Sequence, residues 1–215
     1  MAIHNRLQDI RNDYVLLHLD EKDADADPLV QFGKWIDEAV NRQVDEPTAM
    51  TLSTVASNGR PSARIVLLKQ ADENGFCFFT NYESRKGKEL AENTAAALLF
   101  FWPQLQRQIR IEGHVEKMSD GESDRYFQSR PRGSQLGAVA SPQSTPIPDR
   151  RSLEEKLAEL ETRYAGKAID KPAHWGGYRL RPDYFEFWQG GSNRLHDRLA
   201  YERQDGAWHV SRLAP

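Results

Sequence analysis

The chain has 215 residues, enough for one compact domain with its own core or at most two small ones. Hydrophobic residues make up 39% and charged residues 28%, with a net charge of −3 and a mean hydropathy of −0.73. This balance argues against a membrane-spanning helix and against a globally basic nucleic-acid partner.

The first residues, Met1 to Asp9, lack the apolar core of a signal peptide. A single cysteine, Cys77, cannot form an internal disulfide, and both features fit a cytoplasmic protein. Cys77 lies in the apolar run Gly75–Thr80 and reads as a buried structural thiol. Residues 1–26 are polar, and Asp20–Asp27 is an acidic stretch with little to bury, so 1–26 reads as a mobile or conditionally ordered arm. The folded domain is expected over 27–215. Asp27-Pro28 is a helix start, and Leu29, Phe32, Ile36, Ala39 and Val40 share one apolar face before Pro47 ends the element.

From Ala49 the period becomes that of strands: Ala49–Ala56, a turn at Asn58-Gly59, and Ser62–Lys69. Asn74-Gly75 turns the chain into Phe76–Thr80, and Ser84–Leu90 reads as a short helical turn. Strands follow at Ala95–Trp102 and Gln106–Lys117. In the second, Ile109, Ile111, Gly113 and Val115 alternate with Gln108, Arg110, Glu112 and His114, giving one packed face and one wet one. Ser119 and Glu122 have capping-box spacing for a helix to about Arg130. Residues 133–148 read as loop with one helical turn, and Ser152 opens a helix with Leu153, Leu157, Leu160 and Tyr164 on one stripe. Final strands are expected at Trp175–Leu180, Tyr184–Gln189 and Arg198–Arg203, with a last one through Trp208 and Val210 after Asp205-Gly206. Hairpins with interspersed helices, and no βαβ alternation, indicate a mainly antiparallel barrel with helical additions.

Three local groups could hold phosphate, which needs converging cations, hydroxyls and backbone N–H groups. Arg64 and Lys69 flank Ile65, Val66, Leu67 and Leu68; in a regular strand they point to opposite faces, serving different ligands or different ends of one site, or standing as charges in solvent. Thr80, Ser84, Arg85 and Lys86 sit at a strand-to-helix junction, where helix N-termini attract anions; a solvated turn is the alternative. Tyr126 and Arg130 share a helical face and Ser134 follows Pro131, although this segment standing alone reads rather as an amphipathic helix ending in a charged loop. There is no P-loop, dinucleotide fingerprint or nucleophile elbow, and the histidines lack zinc spacing, so no metal is expected.

The segment Phe185-Glu-Phe-Trp188-Gln-Gly-Gly-Ser-Asn-Arg194-Leu-His196-Asp-Arg198 closely resembles the C-terminal signature of pyridoxine (pyridoxamine) 5′-phosphate oxidases. From its residues alone it is an aromatic strand, a Gly-Gly turn and a charged return strand. Arg64–Lys69, Phe79-Thr80, Ser84–Lys86, Gln108, Tyr126–Ser134, Gln143-Ser144 and the terminal Arg212–Pro215 resemble further family motifs in the same order, covering roughly 28–215. Arg11 and Tyr14 extend the likeness weakly into the arm.

The resemblance implies a split β-barrel homodimer with flavin mononucleotide (FMN) at the subunit interface. It implies oxidation of pyridoxine 5′-phosphate and pyridoxamine 5′-phosphate to pyridoxal 5′-phosphate by O2, with hydrogen peroxide as product and ammonia from the amine. By similarity Arg64, Thr80, Arg85 and Lys86 surround the flavin phosphate, within a cofactor set that includes Ile65 to Lys69 and Phe79. Gln108, Gln143, Ser144, Trp188 and Arg198 complete that site. Lys69, Tyr126, Arg130 and Ser134 take the substrate phosphate. Arg194, Leu195 and His196 meet the pyridine ring, with Arg194 and His196 the catalytic pair, and Arg11 and Tyr14 form a lid. Two phosphates would then explain two strand faces at Arg64 and Lys69. A split-barrel flavin reductase and a non-catalytic flavin or pyridoxal phosphate carrier are the rival readings.

Overall fold

The computed structural model describes Tyr14 and residues 17–215; Arg11, expected in a lid, lies outside the described residues. Five helices are described: α1 (Pro28–Asn41), α2 (Arg85–Glu92), α3 (Asp120–Ser129), α4 (Arg132–Ala140) and α5 (Arg150–Arg163). The strands are β1 (Ala49–Val55), β2 (Pro61–Leu67), β3 (Gln70–Asp72), β4 (Gly75–Asn81), β5 (Ala95–Trp102), β6 (Arg107–Lys117), β7 (Trp175–Gln189), β8 (Asp197–Gln204) and β9 (Ala207–Arg212). Hydrogen-bonded neighbours run β2-β1-β5-β6-β7-β4-β3, with β8 pairing β7 and β9. The described pairings are antiparallel, as the hairpin signals require.

The chain folds as two compact units. One comprises the described residues up to Thr48, Leu99–Ile111 and Asp183–Pro215; the other comprises Ala49–Leu98 and Glu112–Pro182. In the first, the Asp27 carboxylate caps α1 by accepting from the Leu29 N–H at 2.8 Å. The buried face of α1 is Gln31, Phe32, Trp35 and Ala39, rotated from the expected one; Ile36 is half-buried and Val40 is exposed. The large rings decide this, since Phe32 packs tilted against Phe100 at 5.4 Å and Trp35 meets Phe187 edge-on at 5.2 Å. The acidic stretch before α1 has definite partners. Arg212 binds Glu21 in bidentate fashion, the Tyr201 hydroxyl donates to the Asp25 carbonyl, and Leu19 is buried.

In the second unit the β1–β2 hairpin closes over Asn58-Gly59, where Gly59 takes a left-handed φ of 80°. Met50, Leu52 and Thr54 alternate inward along β1. The expected capping box of α3 is present, Ser119 and Glu122 each bonding the other's backbone.

Two expectations fail here. Residues 132–140 form a full helix, α4, rather than a loop. Leu136 and Ala140 pack with Phe127, Leu160, Ile169 and Trp175, while the Gln135 amide donates to the Phe127 and Gln128 carbonyls. The expected pair of strands Trp175–Leu180 and Tyr184–Gln189 is one strand, β7, because Pro182 removes a single donor without leaving the extended conformation.

Candidate active site

In the second unit, α2 begins where Ser84 accepts from the Gly87 N–H and donates to the Asn81 carbonyl. Gly87 is obligatory at this turn, because a Cβ would lie 2.2 Å from the Tyr82 carbonyl oxygen. The turn aims Lys86 back at β4, where its Nζ lies 3.1 Å from Thr80 Oγ1 and 2.9 Å from Gln143 Oε1. Thr80 in turn donates to Gln143 at 3.0 Å. Burial, reinforced by the Arg64 charge, holds the Lys86 ammonium below its usual pKa.

Arg64 projects from β2 to donate to the Leu52 carbonyl at 3.0 Å, to Thr54 Oγ1 at 2.6 Å and to Glu89 Oε2 at 3.1 Å. Glu89, on α2, is buried and also accepts from Ser62 at 2.7 Å and from Arg85 Nε at 2.9 Å. Burial alone would raise its pKa. Hydrogen bonds from Ser62, Thr54 and Arg85, with the charge of Arg64, outweigh burial and bring the Glu89 carboxyl down to about 2.

A cavity of about 340 Å³ opens between these groups. Arg64, Lys69, Lys86 and Arg130 line it together with Thr80, Gln143 and the rings of Phe79, Tyr126 and Trp175, and no carboxylate does. Arg64 and Lys69 therefore share one cavity, which matches the alternative of two parts of one site, though not by way of opposite strand faces. The strand parity lapses because β2 ends at Leu67, and the Lys69 N–H turns to the Cys77 carbonyl of β4 at 2.9 Å. Phe79 and Tyr126 stack at 3.8 Å, and Trp175 lies nearly parallel to both, forming an aromatic wall.

Arg130 lies at the end of α3, extended before Pro131 as a pre-proline residue must be. Its guanidinium sits 4.8 Å over the Trp175 ring, and its buried Nη1 has no hydrogen-bond partner. Burial lowers its pKa. A buried donor without a partner, in a cavity rich in cations, is what an anion site looks like before the anion arrives. The residues present thus fit a phosphate-bearing ligand.

In the first unit, the 188–198 segment forms the end of β7, a tight turn and the start of β8. Arg107 organises it from below: its Nη1 pairs with Glu38, its Nε donates to Gln189 Oε1 at 2.8 Å, and its guanidinium covers the Trp35 ring at 4.3 Å. Gln189 then donates to the Leu105 and Gln106 carbonyls, and the Gly190 N–H also bonds the Gln106 carbonyl. The Gly191 N–H donates to His196 Nδ1 at 3.1 Å, so the neutral ring carries its proton on Nε2. Trp188 packs on His196 at 4.6 Å, and Tyr14 meets both rings edge-on. Arg194 is exposed with a left-handed φ of 63°, Leu195 is 71% exposed, and Gln108 is half-buried on β6.

The structure thus brings Arg64, Lys69, Phe79, Thr80, Lys86, Tyr126, Arg130 and Gln143 to one cavity, with Ile65, Val66 and Leu67 on its rim. It does not bring Leu68, Arg85, Ser134 or Ser144 to the lining: Leu68 is buried in the core, Arg85 reaches Glu89, and Ser134 and Ser144 are exposed. Arg198 uses all three guanidinium nitrogens within its own unit, binding Glu186 at 2.9 and 3.0 Å and the Ala214 carbonyl at 2.7 Å. Sequence reasoning missed Glu89, Glu186, Arg107 and Trp175. Only Trp175 carried a signal, as an isolated tryptophan at a strand start.

Residues 36–164 match the family model of pyridoxamine 5′-phosphate oxidase, and residues 175–215 match the pyridoxine 5′-phosphate oxidase C-terminal dimerisation region. A protein from Ralstonia nicotianae named pyridoxine/pyridoxamine 5′-phosphate oxidase 1 is 59% identical over 210 residues, covering 97% of this chain and 99% of its own. The similarly named oxidase of Janthinobacterium sp. is 56% identical with the same coverage. Among solved structures, PhzG from Burkholderia lata 383, in complex with tetrahydrophenazine-1-carboxylic acid, superposes with a TM-score of 0.89 at 34% identity, covering 95% of this chain and 100% of its own. An FMN-binding protein from Nostoc punctiforme shares the fold alone, with a TM-score of 0.68 at 18% identity over 85% of this chain and 96% of its own. The expected split-barrel class and the expected homodimer agree with these likenesses. No described helix is long and apolar enough to cross a membrane. The chain belongs to the pyridoxamine 5′-phosphate oxidase family.

Proposed function

We propose that this protein oxidises pyridoxine 5′-phosphate and pyridoxamine 5′-phosphate to pyridoxal 5′-phosphate, using bound FMN and O2. The observation that carries the reading is the carboxylate-free cavity with four cationic side chains, an aromatic wall and an unpartnered buried guanidinium nitrogen on Arg130. Flavin, when bound, supplies the two-electron acceptor for the substrate's C4′ hydride and passes those electrons to O2, giving hydrogen peroxide.

The chain's own residues bind and orient. Arg64, Thr80 and Lys86 hold the flavin phosphate; Gln108, Gln143, Ser144, Trp188 and Arg198 hold the rest of the flavin, Arg198 by bracing the segment through Glu186. Arg85 acts on the phosphate through Glu89. Lys69, Tyr126 and Arg130, joined by Ser134, hold the substrate phosphate. Two phosphates held in this way would leave the flavin and substrate little freedom, so that the reaction would become effectively intramolecular. Arg194 sits against the pyridine ring, and His196 presents its Nε2 proton to the substrate. Arg11 and Tyr14 cover the site as a lid. Alcohol plus O2 gives aldehyde plus peroxide; amine plus O2 and water gives aldehyde, ammonia and peroxide. A homodimer and a cytoplasmic setting, which suits the single reduced cysteine, belong to the same proposal.

A second reading follows from the PhzG likeness at 34% identity: oxidation of a reduced phenazine carboxylate. One assay separates the two. FMN-reconstituted protein is mixed in air with pyridoxine 5′-phosphate, pyridoxamine 5′-phosphate or a tetrahydrophenazine carboxylate, and aldehyde, ammonia and peroxide are measured. Aldehyde and peroxide in equal amounts, with ammonia from the amine alone, are expected. Turnover of the phenazine only, or of neither phosphate ester, overturns the reading.

A further inference from the structure

We propose that Glu89 is a positioning residue that makes the site select a phosphorylated flavin: by holding Arg64 in place it sets phosphate affinity, although its own charge opposes an anion. The inference rests on the flavin reading above and concerns a residue that lines no part of the cavity.

The geometry is that of a clamp. Glu89 Oε2 accepts from Thr54, from Ser62 at 2.7 Å and from Arg64 Nη2 at 3.1 Å, while Oε1 accepts from Arg85 Nε at 2.9 Å. Thr54 is buried and bonds both Glu89 and Arg64, so the carboxylate and the guanidinium share one hydroxyl. Arg64 is therefore gripped by a strand carbonyl, a threonine and a carboxylate before any ligand arrives. A free arginine loses much rotamer entropy when it binds an anion; a clamped one has already lost it. The clamp also spans secondary structure, tying β1 and β2 to α2, whose first turn carries Lys86. The strongly depressed pKa of Glu89 agrees with a carboxylate held ionised by these donors.

Two effects of opposite sign act on an incoming phosphate. As a charge, Glu89 repels it; as a clamp, it fixes a cation toward it. The neutral isostere Glu89→Gln decides between them. If charge dominates, E89Q binds FMN more tightly. If positioning dominates, E89Q binds FMN more weakly while riboflavin, which lacks the phosphate, is unaffected.

The test is fluorescence titration of the flavin-stripped full-length protein with FMN and with riboflavin, for the wild type, E89Q and Thr54→Val, with the thermal midpoint of each recorded. T54V removes the shared hydroxyl without changing any charge and stands in should E89Q fail to fold. The expected result is FMN affinity about tenfold weaker in both variants, with riboflavin affinity as in the wild type. An unchanged or tighter FMN constant, or equal loss for both flavins, overturns the role of Glu89 alone. Wild-type protein that binds neither flavin overturns this inference together with the flavin reading.

Discussion

Arg130→Met isolates the substrate-phosphate assignment, because the structure predicts a large effect on ligand binding and a small one on stability. In the ligand-free protein Arg130 Nη1 is buried without a partner, and leaving such a donor unmade costs about 1–3 kcal/mol. Against that, the guanidinium lies 4.8 Å over Trp175 and 5.8 Å over Phe127, a cation–π contact of about 0.5–2 kcal/mol. Methionine keeps an apolar stem over the same rings. The two terms nearly cancel, so the thermal midpoint should move by no more than about 4 °C, the shift about 1 kcal/mol produces in a chain of this size. Binding behaves differently. A charge-assisted hydrogen bond to phosphate is worth about 1.5–3 kcal/mol, which is about 10- to 150-fold in affinity. Steady-state peroxide assays should therefore show KM for pyridoxine 5′-phosphate rising by that factor, with FMN affinity unchanged. An unchanged KM, or a large drop in midpoint at constant KM, would refute the argument, since Arg130 would then be part of the packing and not of the phosphate site.

Three other perturbations probe separate parts of the account. Gly191→Ala would put a Cβ 2.3 Å from the Leu195 carbonyl oxygen, on the turn that bonds His196; turnover should collapse while flavin content stays near wild type, and normal turnover would count against the placement of His196. Arg107→Met leaves Glu38 with Arg42 as its ion-pair partner and takes from Gln189 Oε1 its buried donor, a loss of about 1–3 kcal/mol; calorimetry should show a lower midpoint, and an unchanged one would remove Arg107 from the supports of the turn. The Glu89 carboxyl titrates near 2 in the folded protein against an ordinary 4.5. Its folded pKa is depressed, so its contribution to stability is present above about 4.5 and is lost as pH falls toward about 2. Acid unfolding of E89Q should lack this component, and identical acid profiles for the two proteins would refute it.

Local pattern carried most of the fold. β5 matches its expected bounds because Ala96, Leu98, Phe100 and Trp102 alternate inward without interruption. Helix α4 was illegible because its sequence, Arg-Gly-Ser-Gln-Leu-Gly-Ala-Val-Ala, has weak propensity; its Leu136 and Ala140 matter only once α5 and Trp175 are in place. Cation positions were visible as clusters, yet the parity rule misplaced Lys69, since nothing local marks the end of β2 at Leu67. Glu89 was hidden for a different reason. In Arg-Lys-Gly-Lys-Glu-Leu it looks like one more solvated helix charge, and only tertiary structure buries it beneath Arg64. Glu186, set between Phe185 and Phe187, likewise reads as the wet side of a strand, whereas Arg198 follows it inward.

The central claim is that phosphate anchoring delivers a pyridine alcohol or amine to a bound flavin. Its most direct test is anaerobic mixing of the FMN-loaded protein with one equivalent of pyridoxine 5′-phosphate, following the flavin absorbance, beside an identical sample given unphosphorylated pyridoxine. The account predicts bleaching by the phosphate ester alone, and on admitting air full return of colour with one peroxide per flavin. No bleaching by the ester, or equally fast bleaching by pyridoxine, would contradict it.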